Sequence, residues 1–322
     1  MRSPGRGRCF RAGQAWSMCW NCKRRPPQTC PQSRGDKSFG SVVRMSLRRY
    51  TEVDVFSPEA YFGNALAVVH DAEGLDAERM QRFAQWTNLS ETTFLAAPKH
   101  PEADYSVRIF TATQEFPFAG HPTLGSAYAW LAAGGVPKNQ GHVIQECGAG
   151  LVKVKVDGQN LSFQALPLTR YEPLDDALQA RVAAALGIKR EQILDSSWIV
   201  NGPQWIGVRL ASAQQVLDLA PAQTDLGELE IGVAGPHPQG GEAQFEVRAF
   251  LGNDPVFEDP VTGSLNAGLG KWLHDTGAAP EHYVAAQGTM LGCKGRVQVN
   301  IEPDGVWVGG HVSHCESGEV RL

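Results

Sequence analysis

The chain repeats itself, and that repetition constrains its fold more than any other feature. Val107-Arg108-Ile109-Phe110 is echoed by Val247-Arg248-Ala249-Phe250. A Pro/Gly-rich turn with a threonine follows each: Gly120-His121-Pro122-Thr123 in one, Asp259-Pro260-Val261-Thr262 in the other. Each turn opens a helix of small residues that stops at a glycine, Gly134 or Gly277. A glycine-marked turn and an alternating strand come next, over 148–156 and 288–299. The offset is 140 residues at the first match and 139 at the threonines, which predicts loops differing by one residue. Two copies of a β–loop–helix–β unit imply a duplicated fold with pseudo-twofold symmetry, and the period is too long for a solenoid.

The surrounding pattern predicts an α+β chain. Strands are expected at 50–56, 65–69, 93–97, 105–111, 151–156, 198–200, 205–210, 245–250, 296–301 and 306–308, where β-branched and aromatic residues alternate. Helices are expected at 76–86, 123–133, 175–186 and 264–275. The third opens at a capping Asp175 and stops at Gly187. Two glycines inside the last, Gly268 and Gly270, cost about 1 kcal/mol each against alanine, and suit a helix gripped closely by strands.

Charge is unevenly spread. Residues 1–44 hold ten Lys/Arg against one acid, Asp36, whereas the remainder carries 19 bases against 33 acids. An acidic body repels phosphate backbones, so nucleic acid is not an expected partner. No apolar run approaches the roughly 18 residues needed to span a bilayer, so no membrane is expected either. The stretch 1–44 has no periodicity and lacks the apolar core of a secretory signal. It reads as a disordered or mis-assigned extension, with the start expected at Met45. Its Cys19, Cys22 and Cys30 fall short of the four ligands of a structural zinc site. The body keeps only Cys147, Cys293 and Cys315, an odd and sparse set that fits a reducing cytoplasm better than a disulfide framework.

Two helices entered through matching turns would aim both N-termini at one cleft, where free N–H groups and a partial positive charge favour a carboxylate. Near these turns lie the candidates for proton chemistry: His121, Asp259, Ser264, and Glu91 between a helix and a strand. A carboxylate in a partly dry cleft can take and return a proton near neutral pH. Each residue also has a plain alternative. Ser264 and Thr262 are ordinary helix caps, Asp259 before a proline is a turn former, His121 braces a loop, and Glu91 is a solvated loop acid. His311, His314 and Cys315 sit in a strand-like stretch whose side chains alternate in direction, which argues against a metal cluster.

These segments resemble the phenazine-biosynthesis PhzF-like isomerases, which share the diaminopimelate epimerase fold. The resemblance is carried by Val53-Asp54-Val55-Phe56, by Gly63-Asn64-Ala65-Leu66-Ala67-Val68-Val69 and by Leu89-Ser90-Glu91-Thr92-Thr93-Phe94. It continues through Phe118-Ala119-Gly120-His121-Pro122-Thr123-Leu124-Gly125 and Glu258-Asp259-Pro260-Val261-Thr262-Gly263-Ser264, with Ala65 where many members have proline. It implies two pseudo-symmetric domains, each a β-barrel-like sheet around a central helix, over 45–168 and 169–322, with terminal strands able to cross between them. It implies Glu91, His121 and Asp259 as catalytic groups, and Ser90, Gly120, Gly263 and Ser264 as substrate-binding ones. No cofactor and no metal are implied, and family members are often homodimers. In the phenazine member the reaction isomerises trans-2,3-dihydro-3-hydroxyanthranilate by moving a proton along a conjugated system. Two-thiol racemases of this fold use one cysteine from each half, and here Gly120 and Asp259 occupy the corresponding turns.

The expectation is therefore a cytoplasmic, cofactor-independent isomerase that transfers a proton on a small carboxylate. The alternatives are an amino-acid racemase or epimerase, and a non-catalytic small-molecule binding protein on the same fold.

Overall fold

The computed structural model describes residues 45–252 and 257–322, and the reading of 1–44 lies outside them. Residues 45–322 belong to one compact unit. Its first half runs β1 (Leu47–Val55), β2 (Asn64–Val69), α1 (Ala77–Thr87), β3 (Glu91–Ala96), β4 (Tyr105–Phe110), β5 (Glu115–Phe116), α2 (Gly120–Ala132), β6 (His142–Cys147), β7 (Gly150–Asp157) and β8 (Asn160–Gln164). The second half runs β9 (Arg170–Pro173), α3 (Asp176–Ala185), β10 (Asp195–Val200), β11 (Trp205–Arg209), α4 (Ala213–Leu217), α5 (Gln223–Leu226), β12 (Glu230–Pro236), β13 (Phe245–Leu251), β14 (Glu258–Asp259), α6 (Gly263–Asp275), β15 (His282–Gln287), β16 (Gly295–Glu302) and β17 (Gly305–Arg321).

Strand pairing repeats between the halves. β1 pairs antiparallel with β2, β2 parallel with β3, β3 antiparallel with β4, β4 parallel with β6, and β6, β7 and β8 follow antiparallel. The same succession of senses recurs from β10 and β11 through β12, β13, β15 and β16 to β17. β17 also pairs with β8 and β1, which closes the first half into a ring of eight strands. One long strand thus belongs to both sheets.

Each sheet wraps a helix. α2 and α6 are thirteen residues long and buried through most of their first turns. A helix surrounded by strands cannot afford one polar face, and small residues let the strands approach. At Gly125 a Cβ would meet Leu66 at 2.5 Å, and at Gly268 it would meet the carbonyl oxygen of Ile199 at 2.7 Å. Outside the sheets, Met80 and Ala84 of α1 pack on Phe94 and Phe110, while Val182, Leu186, Val216 and Leu226 pack on Phe250.

The duplication has a different register from the one the threonines suggest. α2 opens at Gly120 and α6 at Gly263, 143 positions apart, and the left-handed glycines that follow them, Gly134 and Gly277, keep that spacing. The second connection is therefore three residues longer, not one shorter, than the 140-residue offset of the strands. Thr262 precedes its helix, whereas Thr123 lies in the first turn of its own. α2 also begins before the expected residue 123, because a proline at position 122 needs no N–H partner in a first helical turn.

The correct register pairs the charges as well. Arg108 forks onto Glu115 at 2.7 and 2.6 Å, and Arg248 forks onto Glu258 at 2.9 and 2.7 Å. Each guanidinium lies over the phenylalanine two residues on, Phe110 or Phe250. The first pair is partly exposed; the second is buried, and Arg248 also donates to the carbonyls of Val216 and Leu219.

Candidate active site

The two central helices meet at their first residues. A Cβ built on Gly120 would lie 3.0 Å from the Cα of Gly263, and one built on Gly263 would lie 3.0 Å from the Cα of Gly120 and 3.3 Å from the backbone nitrogen of His121. Glycine is needed at both places because the backbones touch, and neither φ is in the left-handed region. Neither first turn carries an acidic side chain. Two positive helix ends therefore converge on one point.

His121, the second residue of α2, is buried. Its Nε2 stands 3.5 Å from Oε2 of Glu91. Burial pushes the imidazole pKa down to about 3, against a weaker upward pull from a hydrogen bond to the Ala65 backbone. Nε2 makes no hydrogen bond within the protein. The ring is neutral at physiological pH, and the contact with Glu91 is not an ion pair. Nε2 faces the carboxyl group. Glu91 itself is the first residue of β3, not a solvated loop acid, and its side chain is only 14% exposed. Ser90, half buried, precedes it.

Asp259 ends β14 immediately before Pro260. Its Oδ1 accepts from Asn64 Nδ2 at 3.1 Å and its Oδ2 from the hydroxyl of Thr262 at 2.6 Å. Thr262 occupies the N-cap of α6, yet its hydroxyl serves Asp259 and makes no cap hydrogen bond. Ser264, the second residue of α6, accepts from Trp205 Nε1 at 3.0 Å, and its carbonyl accepts from Asn201 Nδ2 at 2.9 Å. The Ser264 hydroxyl keeps its own hydrogen to donate.

The halves are equivalent in fold and unequal in chemistry. By helix position, Ser264 is the counterpart of His121. Thr92 faces Phe110 and Ile231 faces Phe250, so Glu230 is the counterpart of Glu91. An acid beside an imidazole in the first half is matched by an acid and a hydroxyl in the second. Ala119 and Thr262 precede the two helices, and Cys147, Cys293 and Cys315 occupy neither helix-start position. Among the described residues no cluster of three or more His, Cys, Asp or Glu side chains has metal-site geometry, and His314 bonds Ser317. No described helix is long and apolar enough to cross a membrane.

Sequence reasoning passed over Asn64, Trp205, Asn201 and the Arg248–Glu258 pair. Asn64 stood inside a quoted motif, but its partner lies 195 positions away.

The family model of the phenazine biosynthesis-like proteins matches residues 53–318. The chain belongs to that family. A protein named antisense-enhancing sequence 1, from Schizosaccharomyces pombe, is 35% identical over 295 residues, covering 85% of this chain and 99% of its own. The trans-2,3-dihydro-3-hydroxyanthranilate isomerase of Pseudomonas aeruginosa is 31% identical over 266 residues, covering 80% and 92%. The crystal structure of a PhzF-family protein from Enterococcus faecalis superposes with a TM-score of 0.72 at 24% identity, over 86% of this chain and all of that one. The fold is the family's, and the chain is an isomerase of that family.

Proposed function

We propose that the enzyme isomerises a small carboxylate by proton transfer, without a cofactor, and that Glu91 carries the proton. The observation that carries this reading is the Glu91–His121 contact beside the junction of two helix N-termini. The helix ends and the Ser264 hydroxyl suit the substrate carboxylate, which the positive ends attract. The Glu91 carboxylate removes a proton from carbon, and the C–H electron pair enters the adjacent π system. The double bond shifts, and Glu91 returns the proton to the far carbon of that system, so composition is unchanged. Neutral His121 cannot hold Glu91 by charge. With Nε2 unprotonated, the ring accepts a hydrogen bond from the Glu91 carboxyl in its acid form, and this orients the group between the two transfers while Glu91 keeps the proton.

At the helix junction only the first half supplies an acid–imidazole pair, Glu91 with His121, where the second half has Glu230 and Ser264, which favours a single proton carrier over a two-base racemase. The substrate class, a homodimeric working form, a cytoplasmic location and a domain boundary at 168/169, between β8 and β9, belong to this same proposal and follow the family resemblance.

The test is a screen of small carboxylic acids in deuterated water that includes trans-2,3-dihydro-3-hydroxyanthranilate, the compound named for the Pseudomonas relative. Deuterium uptake at carbon is expected with at least one acid. Tight binding of an acid with no uptake would make the chain a binding protein and contradict the proposal.

A further inference from the structure

We infer that Asn64 is a positioning residue that makes the orientation of Asp259 depend on contact between the two halves. Asn64 opens β2 in the first half and is 2% exposed. Its one amide nitrogen donates to Asp259 Oδ1 at 3.1 Å and to the Val261 carbonyl at 2.9 Å, both in the second half. The other carboxylate oxygen takes the Thr262 hydroxyl from its own half. Gln287 locks that hydroxyl from behind. Its Nε2 donates to Thr262 Oγ1 at 2.9 Å and to the Asp259 carbonyl at 3.2 Å, and its Oε1 accepts from the Thr262 backbone N–H at 3.1 Å. Donors from both halves thus hold the Asp259 carboxylate.

Asn64 is itself held rigidly. The buried Asp54 carboxylate accepts from the backbone N–H groups of Phe62 at 2.9 Å and Gly63 at 2.8 Å. A Cβ at Gly63 would lie 2.2 Å from the Val55 carbonyl oxygen, so that loop has one path into β2. On the other side, the buried Arg248–Glu258 fork pins the residue before Asp259. Every neighbour of Asp259 in this chain of contacts is fixed by something else. The amide of Asn64 ties it to the half containing Glu91 and His121.

This inference rests on the isomerisation proposed above and on the catalytic role that the family resemblance implies for Asp259, and two variants test it. Asn64→Asp keeps the shape and exchanges a donor for an acid. Above the pKa of the new pair two carboxylates face each other; below it, one proton restores a hydrogen bond. The folded state then binds that proton more tightly than the unfolded state does, so the variant gains stability as pH falls. Asn64→Leu removes the donor at every pH.

Melting of the full chain is measured from pH 8 to pH 5 without ligand, alongside deuterium uptake into trans-2,3-dihydro-3-hydroxyanthranilate. The deficit of Asn64→Asp against wild type should be largest at pH 8 and shrink toward pH 5, while that of Asn64→Leu stays constant. At pH 8 both variants should lose about 10–100-fold in kcat with little change in KM, the size expected when a reacting group is slightly misplaced. Asn64→Asp should recover activity on acidification. If Asn64→Leu does not fold, Asn64→Ser, which keeps a short donor, serves as the control. A pH-independent deficit in Asn64→Asp, or wild-type kcat in either variant at pH 8, overturns the positioning role. A wild type that takes up no deuterium from this acid or any other overturns the functional reading beneath it, while melting still decides whether Asn64 holds Asp259.

Discussion

Gly120 and Gly263 stand against each other at the centre of the molecule, each the first residue of a buried helix and each closing off the space for a Cβ on the other. This contact fixes the distance between the helix ends that flank His121 and Ser264. Neither glycine is there for φ; both are there for proximity.

A methyl group at this junction has nowhere to go except against backbone. Gly263→Ala should destabilise the fold by about 1–3 kcal/mol, as overpacking usually does. It should also cost at least about tenfold in turnover, because small misplacements of reacting groups are expensive. Urea unfolding and deuterium-uptake rates check this, and a fully active, fully stable variant would show that the helix ends do not set the site.

His121 supplies a pH dependence with a definite sign. Its pKa is pushed from the ordinary 6.5 down to about 3 by burial, so the unfolded chain binds a proton that the folded chain refuses. Stability contributed by the neutral ring is complete above about pH 6.5 and is lost as pH falls toward 3, by about 1.4 kcal/mol per pH unit. Buried His70 shifts the same way, so the comparison has to be with a variant. His121→Asn should show a shallower loss of stability between pH 6.5 and 4 than wild type. Parallel curves would mean that His121 titrates normally.

The two Arg–Glu forks provide a paired experiment on burial. Arg248→Met leaves Glu258 buried without its partner and should destabilise by about 3–5 kcal/mol. Arg108→Met opens a pair that is about two-fifths exposed and should cost at most about 1 kcal/mol. Equal losses in denaturant unfolding would contradict the assignment of one buried and one solvated pair.

Periodicity and turn signals made ten of the strands and the four main helices legible, in whole or in part. It missed β5, β6, β8, β9, β12, β14 and β15, and caught only 306–308 of the long β17. β12 contains two glycines and a proline and β15 ends in three small or polar residues, which blurs their period, while β8 alternates over only five residues. Repetition revealed the duplication, but matching threonines gave the wrong helix register because one is a cap and the other an interior residue. Motif residues identified Glu91, His121, Asp259 and Ser264 as candidates. Their environments were not readable: the burial of His121, the strand position of Glu91 and the reach of Asn64 to Asp259 arise only when distant segments pack.

The central claim is that Glu91 carries the proton. Glu91→Gln keeps nearly the same shape and cannot carry it. General acid–base catalysis contributes about 10²–10⁴-fold, so turnover should fall by that much while binding, held by the helix ends and Ser264, weakens far less. The deciding measurement is deuterium uptake and substrate affinity taken side by side for wild type and Glu91→Gln. Lost uptake with retained affinity is the predicted result; near-normal uptake in the variant would contradict the mechanism, and joint loss of both would reduce Glu91 to a structural residue.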